Sequence, residues 1–202
     1  MRILFIITVL LSIFTNTSYA EELNAQQVIS TSADKVLAAI RVDNSDTPEN
    51  IKKLSVTLLE LLEPVVDFDS ISKAVMGKYK KVVTIDQKER FTPIFKKTLT
   101  HLYAKSLIKF NIVKIQVLPS TNKDESKKKD NVSMEVTTDD GKTYSIIYTM
   151  RKNKENKWRV RNIVLDGINL GLTYRNQFNS ATLSYNGDVD QTIANWSGEM
   201  DL

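Results

Sequence analysis

Cysteine is absent from the 202 residues, and histidine occurs once, as His101. Without thiols there is no cysteine nucleophile, no disulfide staple, no zinc site with thiolate ligands and no cysteine-ligated iron–sulfur cluster. A Ser-His-Asp triad would have to use His101, and a multi-histidine metal centre is excluded. Six glycines are too few for long nucleotide-cradling loops. Gly167 with Gly171 lacks the third glycine and the βαβ setting of a dinucleotide fingerprint. Charge of one sign is also scarce. The 28 Lys+Arg stand against 24 Asp+Glu, and the basic residues are dispersed without an aromatic-basic motif, so no nucleic-acid partner is expected. What is present, 42% hydrophobic and 26% charged residues, is a globular balance over a length that can bury a sizeable core.

Long apolar runs are missing except at the start. Arg2 precedes the apolar stretch Ile3–Phe14, and Ser18-Tyr19-Ala20 ends in small residues before Glu21-Glu22. That order is a secretory signal peptide over residues 1–20, with cleavage expected after Ala20. The stretch is too short for a span, which takes about 20 apolar residues. No cysteine follows it, so no lipoprotein anchor is available. The expected product is a soluble, exported chain, with one domain over residues 21–202 and room for a small helical subdomain.

Helical spacing dominates the first half. Residues 25–41 carry Val28, Ala33, Val36, Leu37 and Ile40. Thr47-Pro48 then caps and opens a helix with Ile51, Leu54, Leu58 and Leu61-Leu62, ended by Pro64. Asp67 or Asp69 caps a short helix through Val75, with Gly77 as its stop. Asp86 and Glu89 have capping-box spacing ahead of Phe91, Phe95, Leu99, Leu102, Tyr103, Leu107 and Phe110.

The period then changes to two. Residues 111–119 and 131–138 read as strands, joined by the charged loop 120–130. Asp139-Asp140-Gly141 is a hairpin signal. On the returning strand Tyr144, Ile146, Tyr148 and Met150 alternate with Ser145, Ile147 and Thr149. After a turn over 152–157, simple alternation puts Trp158, Val160, Asn162 and Val164 on one face, with Ile163 and Leu165 on the other. About four antiparallel strands result, ended at Asp166-Gly167. Asn169 then caps a helix carrying Leu170, Tyr174, Phe178, Ala181 and Tyr185. Asn186-Gly187 breaks it, and Val189, Ile193 and Trp196 suggest a last short helix. The expected class is α+β, helices packed on a curved antiparallel sheet.

Catalysis has little to stand on. His101 has no acid at a useful spacing. Asp67 and Asp69 are two apart, which does not place them on one helical face, and capping is the better reading. Asp139 and Asp140 belong to a turn, not to a calcium loop. Arg175 is expected in an intramolecular ion pair beside Tyr174. No catalytic residue, metal or cofactor is expected. The apolar pattern suits a closed core and a cavity between layers equally. It therefore leaves open a ligand carrier and an exported adaptor or chaperone-like interaction domain without a lipid.

Two segments carry a resemblance. Leu62-Glu63-Pro64-Val65-Val66-Asp67-Phe68 is followed by Met76-Gly77-Lys78-Tyr79. Further on, Trp158-Arg159-Val160-Arg161-Asn162-Ile163-Val164-Leu165-Asp166-Gly167-Ile168-Asn169-Leu170 runs into Tyr174-Arg175-Asn176-Gln177-Phe178. With the ladder from Phe91 to Leu107 between them, and Asn186-Gly187 ahead of Val189-Asp190 and Ile193, the chain resembles the MlaC or toluene-tolerance family over nearly all of residues 25–196. Three features depart from the family pattern: Asn162 and Asn169 replace the acidic residue and the serine common there, and Trp196 with a short polar tail replaces a more basic, aliphatic end.

The resemblance implies a nuclear-transport-factor-like cone with a lipid cavity, and a monomeric periplasmic carrier whose bound cargo is phospholipid. It implies shuttling between an outer-membrane lipoprotein-porin complex and an inner-membrane ABC transporter with a periplasmic lipid-binding subunit, which would maintain outer-membrane lipid asymmetry. Two acyl chains of roughly 15 methylenes left in water would cost roughly 24 kcal/mol at about 0.8 kcal/mol each, so such a carrier needs an enclosed pocket. The expected lining is Met76, Tyr79, Phe91, Phe95, Leu99 and Tyr103 from helices, with Val136, Ile146, Tyr148, Met150 and Val160 from one sheet face.

Overall fold

A computed structural model describes residues 23–43, 45–119 and 127–198. The export segment 1–20 and most of the charged loop lie outside them. The elements are α1 (Ala25–Val42), α2 (Pro48–Leu62), α3 (Phe68–Val75), a 3-10 turn (Gly77–Lys81), α4 (Ile85–Lys109), β1 (Ile112–Val117), β2 (Lys129–Thr138), β3 (Thr143–Lys152), β4 (Trp158–Leu165), β5 (Ile168–Asn169), α5 (Leu170–Ser184) and α6 (Val189–Ala194). The class is α+β, as the periodicity implies.

Side-chain caps define the helix starts. Asn24 and Gln27 form a capping box at α1, Thr47 accepts from the Asn50 N–H at α2, and Asp67 from the Ser70 N–H at α3. The box of α4 is Thr84 with Gln87, not Asp86 with Glu89. Thr84 is extended, its Oγ1 accepts from the Gln87 N–H at 3.1 Å, and Gln87 Oε1 accepts from the Thr84 N–H at 3.0 Å. Asp86 instead sits in the first turn, where its charge opposes the helix dipole, and meets Arg90 at 2.7 Å. Arg90 also pairs with Asp190, tying α4 to α6.

The sheet runs β1-β2-β3-β4-β5, antiparallel throughout. It has five strands where about four were expected, because the chain turns at Asp166-Gly167 and lays Ile168 and Asn169 back against β4. β2 also starts earlier than residue 131: Lys129 and Asp130 already pair with Arg151 and Met150. A strap from the α2–α3 connection clips onto the other end of β4. The Val160 N–H donates to the Val65 carbonyl (2.8 Å) and the Asp67 N–H to the Val160 carbonyl (3.0 Å).

One irregularity overturns a sequence expectation. Thr149 pairs with Asn162 but Met150 pairs with Val160, so Arg161 is an extra residue in β4. Such a bulge reverses the alternation beyond it. Trp158 and Val160 share the face of Met150. Past the bulge that face is continued by Ile163 and Leu165, the partners of Tyr148 and Ile146, and not by Asn162 and Val164.

Three apolar clusters hold the layers together. α1 lies on the sheet through Ala25 and Ile29, against Val132, Met134, Val136, Met150, Trp158 and Val160. α1, α2 and the second half of α4 pack through Val36, Leu54, Leu58, Ala104 and Leu107. α3, α5, α6 and the first half of α4 meet around Phe91, Phe95, Phe178, Ile193 and Trp196. Trp196 follows α6 rather than belonging to it, yet it is buried. Its ring lies 5.4 Å from Phe91 and 5.7 Å from Phe178, pairs worth about 0.5–1.5 kcal/mol each beyond area burial.

Candidate functional site

The inner face of β3 is set by alternation. Tyr144, Ile146, Tyr148 and Met150 turn inward, while Ser145 and Ile147 are exposed. Cover along that face is uneven. Met150 (0% exposed), Val160 (2%) and Val132 (1%) are sealed. Ile146, Tyr148, Ile163 and Leu165, joined by the pairs Tyr148–Ile163 and Ile146–Leu165, are only half-buried. The orientation is the same, so the difference lies in what sits above. The residual surface is not on the outside of the sheet, because Ile146, Tyr148 and Ile163 pack against the same cluster as Met150 and Val160.

Across this patch stands Tyr103 of α4. Burial pushes its phenol up to about 12. Burial pushes that of Tyr148 well above the ordinary range too, with the nearby Tyr103 phenol adding to the effect. Both phenols are therefore neutral near pH 7. Neither hydroxyl has a hydrogen-bond partner among the described residues, yet neither is sealed from solvent-sized contact as the Trp196 Nε1 is. Hydroxyls that are accessible and lack a protein partner, set in an apolar wall, suit a ligand with a few polar atoms on an apolar body. Leu62, Val65, Val66 and Leu99 are half-buried as well.

The expected lining residues thus fall into separate places. Val136, Ile146, Tyr148, Met150 and Val160 share the sheet cluster, and Tyr103 packs against the cluster of α1, α2 and α4. Met76, Phe91 and Phe95, with Tyr79 and Leu99 packed beside them, belong to the aromatic cluster at the α5–α6 end. Met76, Phe91 and Phe95 are fully buried there, and Phe91 and Phe95 are enclosed by Phe178, Tyr174 and Trp196. Ile163 and Leu165 join the inward patch, although alternation without the bulge put them outside.

The titratable groups are placed for structure. His101 is exposed. Asp67 caps α3 and pairs with Arg161 of β4. Beside it, Lys96 meets Glu63 at 2.7 Å, and Arg159 Nη1 donates to the Glu63 carbonyl at 2.8 Å. Glu63, Asp67, Lys96 and Arg159, with Asp69, line a polar recess of about 170 Å³ that carries both signs of charge. Asp139 and Asp140 make the β2–β3 turn, where Lys142 and Thr138 hold the Asp140 carboxyl down to about 2. Among the described residues no group of His, Asp or Glu is arranged to hold a metal ion. Arg175, expected in an ion pair, has none there.

The two asparagine departures from the family pattern are accommodated at the start of α5. Asn169 Oδ1 accepts from the Leu172 N–H (3.0 Å), and Asn162 Oδ1 from the Gly171 N–H (3.1 Å). Two amide oxygens thus satisfy two of the free N–H groups at this terminus. A Cβ at Gly171 would stand 2.5 Å from Asn162 Oδ1, so a side chain there must displace that amide.

The family model described as "MlaC protein" matches residues 30–198. The chain belongs to the MlaC family. A toluene tolerance protein, ttg2D of Pseudomonas putida, is 33% identical over 193 residues, covering 95% of this chain and 88% of the relative. The intermembrane phospholipid transport system binding protein MlaC of Haemophilus influenzae is 25% identical, covering 96% and 83%. Among solved structures, a phospholipid-binding protein from Ralstonia solanacearum in complex with a phospholipid superposes with a TM-score of 0.69. It is 25% identical and covers 85% of this chain and 94% of its own.

Proposed function

We propose that the protein is a non-enzymatic periplasmic phospholipid carrier. It takes acyl chains between β3–β4 and α4, keeps them from water, and passes the lipid between the outer and inner membranes. Exported in this way, it would receive and deliver cargo at an outer-membrane lipoprotein-porin complex and at an inner-membrane ABC transporter, as a monomer. The observation that carries the reading is the half-buried inward patch Ile146-Tyr148-Ile163-Leu165 facing Tyr103, in a chain whose solved relative holds a phospholipid. Burying a methylene stabilises by about 0.8 kcal/mol, so an apolar patch that the protein leaves partly uncovered is where tails gain most.

The test is native mass spectrometry of the processed protein purified from its own envelope, with identification of what it releases. The expected result is phospholipid in near-stoichiometric amount. A ligand-free protein that also takes up no phospholipid when refolded in its presence contradicts the reading and favours an adaptor.

A further inference from the structure

A second recess, of about 370 Å³, opens on the outside of the molecule between α3, the 3-10 turn and α5. Its lining is Ala74, Gly77, Lys78, Lys80, Arg175, Asn176 and Asn179, cationic and amide groups without one carboxylate. Lys73 and Lys81, also exposed, flank it in sequence. No ion pair among the described residues involves Lys73, Lys78, Lys80, Lys81 or Arg175. This differs from the smaller recess, where Lys96 pairs with Glu63, Arg159 donates to the Glu63 carbonyl, and Asp67 and Asp69 add carboxylates to the wall.

Local geometry holds the cations in place. Gly77 has φ +55, and a Cβ there would stand 2.9 Å from Arg175 Cγ. Glycine therefore lets the arginine stem cross the backbone of the 3-10 turn, which brings the guanidinium beside the lysines. The Lys78 ammonium rests over the Tyr79 ring at 5.1 Å. The chain then leaves the turn through Val82 and Ile85, which are 76% and 73% exposed. Clustered cations followed along the chain by protruding aliphatics match an anionic bilayer surface, which attracts each nearby basic group and accepts apolar side chains below its headgroups. Lysines suit it because a hydrated point charge answers a diffuse negative surface, whereas a shaped acidic protein site favours the arginine fork.

We propose that this face docks the protein onto anionic phospholipid bilayers, with Lys78, Lys80 and Arg175 against the headgroups and Val82 and Ile85 at the boundary. It deepens the carrier reading, on which it rests, by naming the surface that brings the carrier to a leaflet.

The test is co-sedimentation of the processed protein, lipid-loaded as purified, with vesicles of phosphatidylcholine alone or mixed equally with phosphatidylglycerol. Binding is expected only to the mixed vesicles, and it should weaken as salt shortens the screening length. Lys78→Glu/Lys80→Glu/Arg175→Glu should lower the apparent affinity at least about tenfold, while Lys52→Glu/Lys53→Glu on α2 should leave it unchanged. The milder Lys78→Gln/Lys80→Gln pair serves if the triple variant does not fold. Wild-type protein that ignores phosphatidylglycerol vesicles overturns the proposal and leaves the recess to an acidic protein surface. Variants that bind as wild type does overturn it as well. Phospholipid content measured on the same samples separates the two readings: lost docking with unchanged cargo is expected, whereas missing cargo counts against the carrier and not against the docking face.

Discussion

Two apolar regions of this molecule, one of phenylalanine and tryptophan and one of aliphatics with tyrosine, end up in different physical states. At the α5–α6 end, Phe91, Phe95, Phe178 and Trp196 close on one another at ring spacings of 5.0 to 6.5 Å. Between β3–β4 and α4, the patch of Ile146, Tyr148, Ile163 and Leu165 is left half-covered, and the Tyr148 and Tyr103 hydroxyls have no partner among the described residues. The first region stores stability. The second forgoes some of it, which is why the proposed carrier function assigns the acyl chains to it. Hydrophobicity alone does not separate them; completeness of packing does.

The largest effect that would break this comparison is expected in the closed region. Phe91→Ala removes the ring at the centre of the aromatic cluster and should cost about 3–5 kcal/mol, read as the shift in denaturant midpoint at constant slope. Phospholipid content per folded molecule should stay near wild type. A variant that folds at wild-type stability but loses its lipid would reverse the roles of the two regions.

In the half-covered region the pattern should invert. Tyr148→Asp puts a charge where lipid tails would desolvate it and should remove most bound phospholipid. Ser145→Asp, on the outer face of the same strand, should change little. Circular dichroism on both variants guards against a folding defect, and equal lipid content in two folded variants would refute the face assignment.

Gly171→Ala tests the junction that carries β4 into α5. The added methyl collides with Asn162 Oδ1, and displacing that acceptor should destabilise by about 1–3 kcal/mol in thermal or denaturant melts. Asn162→Ala in the same background should recover part of the loss by clearing the clash.

The smallest effect concerns Tyr103. Its hydroxyl has no partner among the described residues, so Tyr103→Phe should shift stability at pH 7 by no more than about 1 kcal/mol. The sign reverses in alkali. The folded phenol stays protonated up to about 12 against an ordinary value of 10.0, so the native state binds more protons than the unfolded state above pH 10. Stability from this group is complete below pH 10 and is lost as pH rises toward 12. The phenylalanine variant should show a flatter decline across that window. An unchanged alkaline profile in both Tyr103→Phe and Tyr148→Phe would mean that these phenols are not enclosed.

Much of this architecture is legible in the sequence because local physics decides it. Thr47-Pro48, Asp67, Asn169 and Asn186-Gly187 each act through their own backbone neighbours, and the structure uses them as their chemistry dictates. The capping box of α4 was harder, since two pairs, Thr84–Gln87 and Asp86–Glu89, have the required spacing and only backbone geometry chooses between them. The β4 bulge leaves no trace in a single strand. Arg161 is an ordinary alternating residue until Thr149 and Met150 fix its partners, and with it went the orientation of Ile163 and Leu165. The division of the apolar ladder was equally hidden. Phe91 and Phe95 are covered by Phe178 and Trp196 from far along the chain, while Tyr103, on the same helix, is not.

The most direct test of the central claim is photo-crosslinking with a phospholipid that carries a diazirine on its acyl chain, loaded into the processed protein and mapped by peptide mass spectrometry. The account predicts adducts on β3 between Tyr144 and Met150 and on α4 around Leu99 and Tyr103, with none on Phe91, Phe178 or Trp196. Adducts concentrated on the aromatic cluster, or spread over exposed residues, would contradict it.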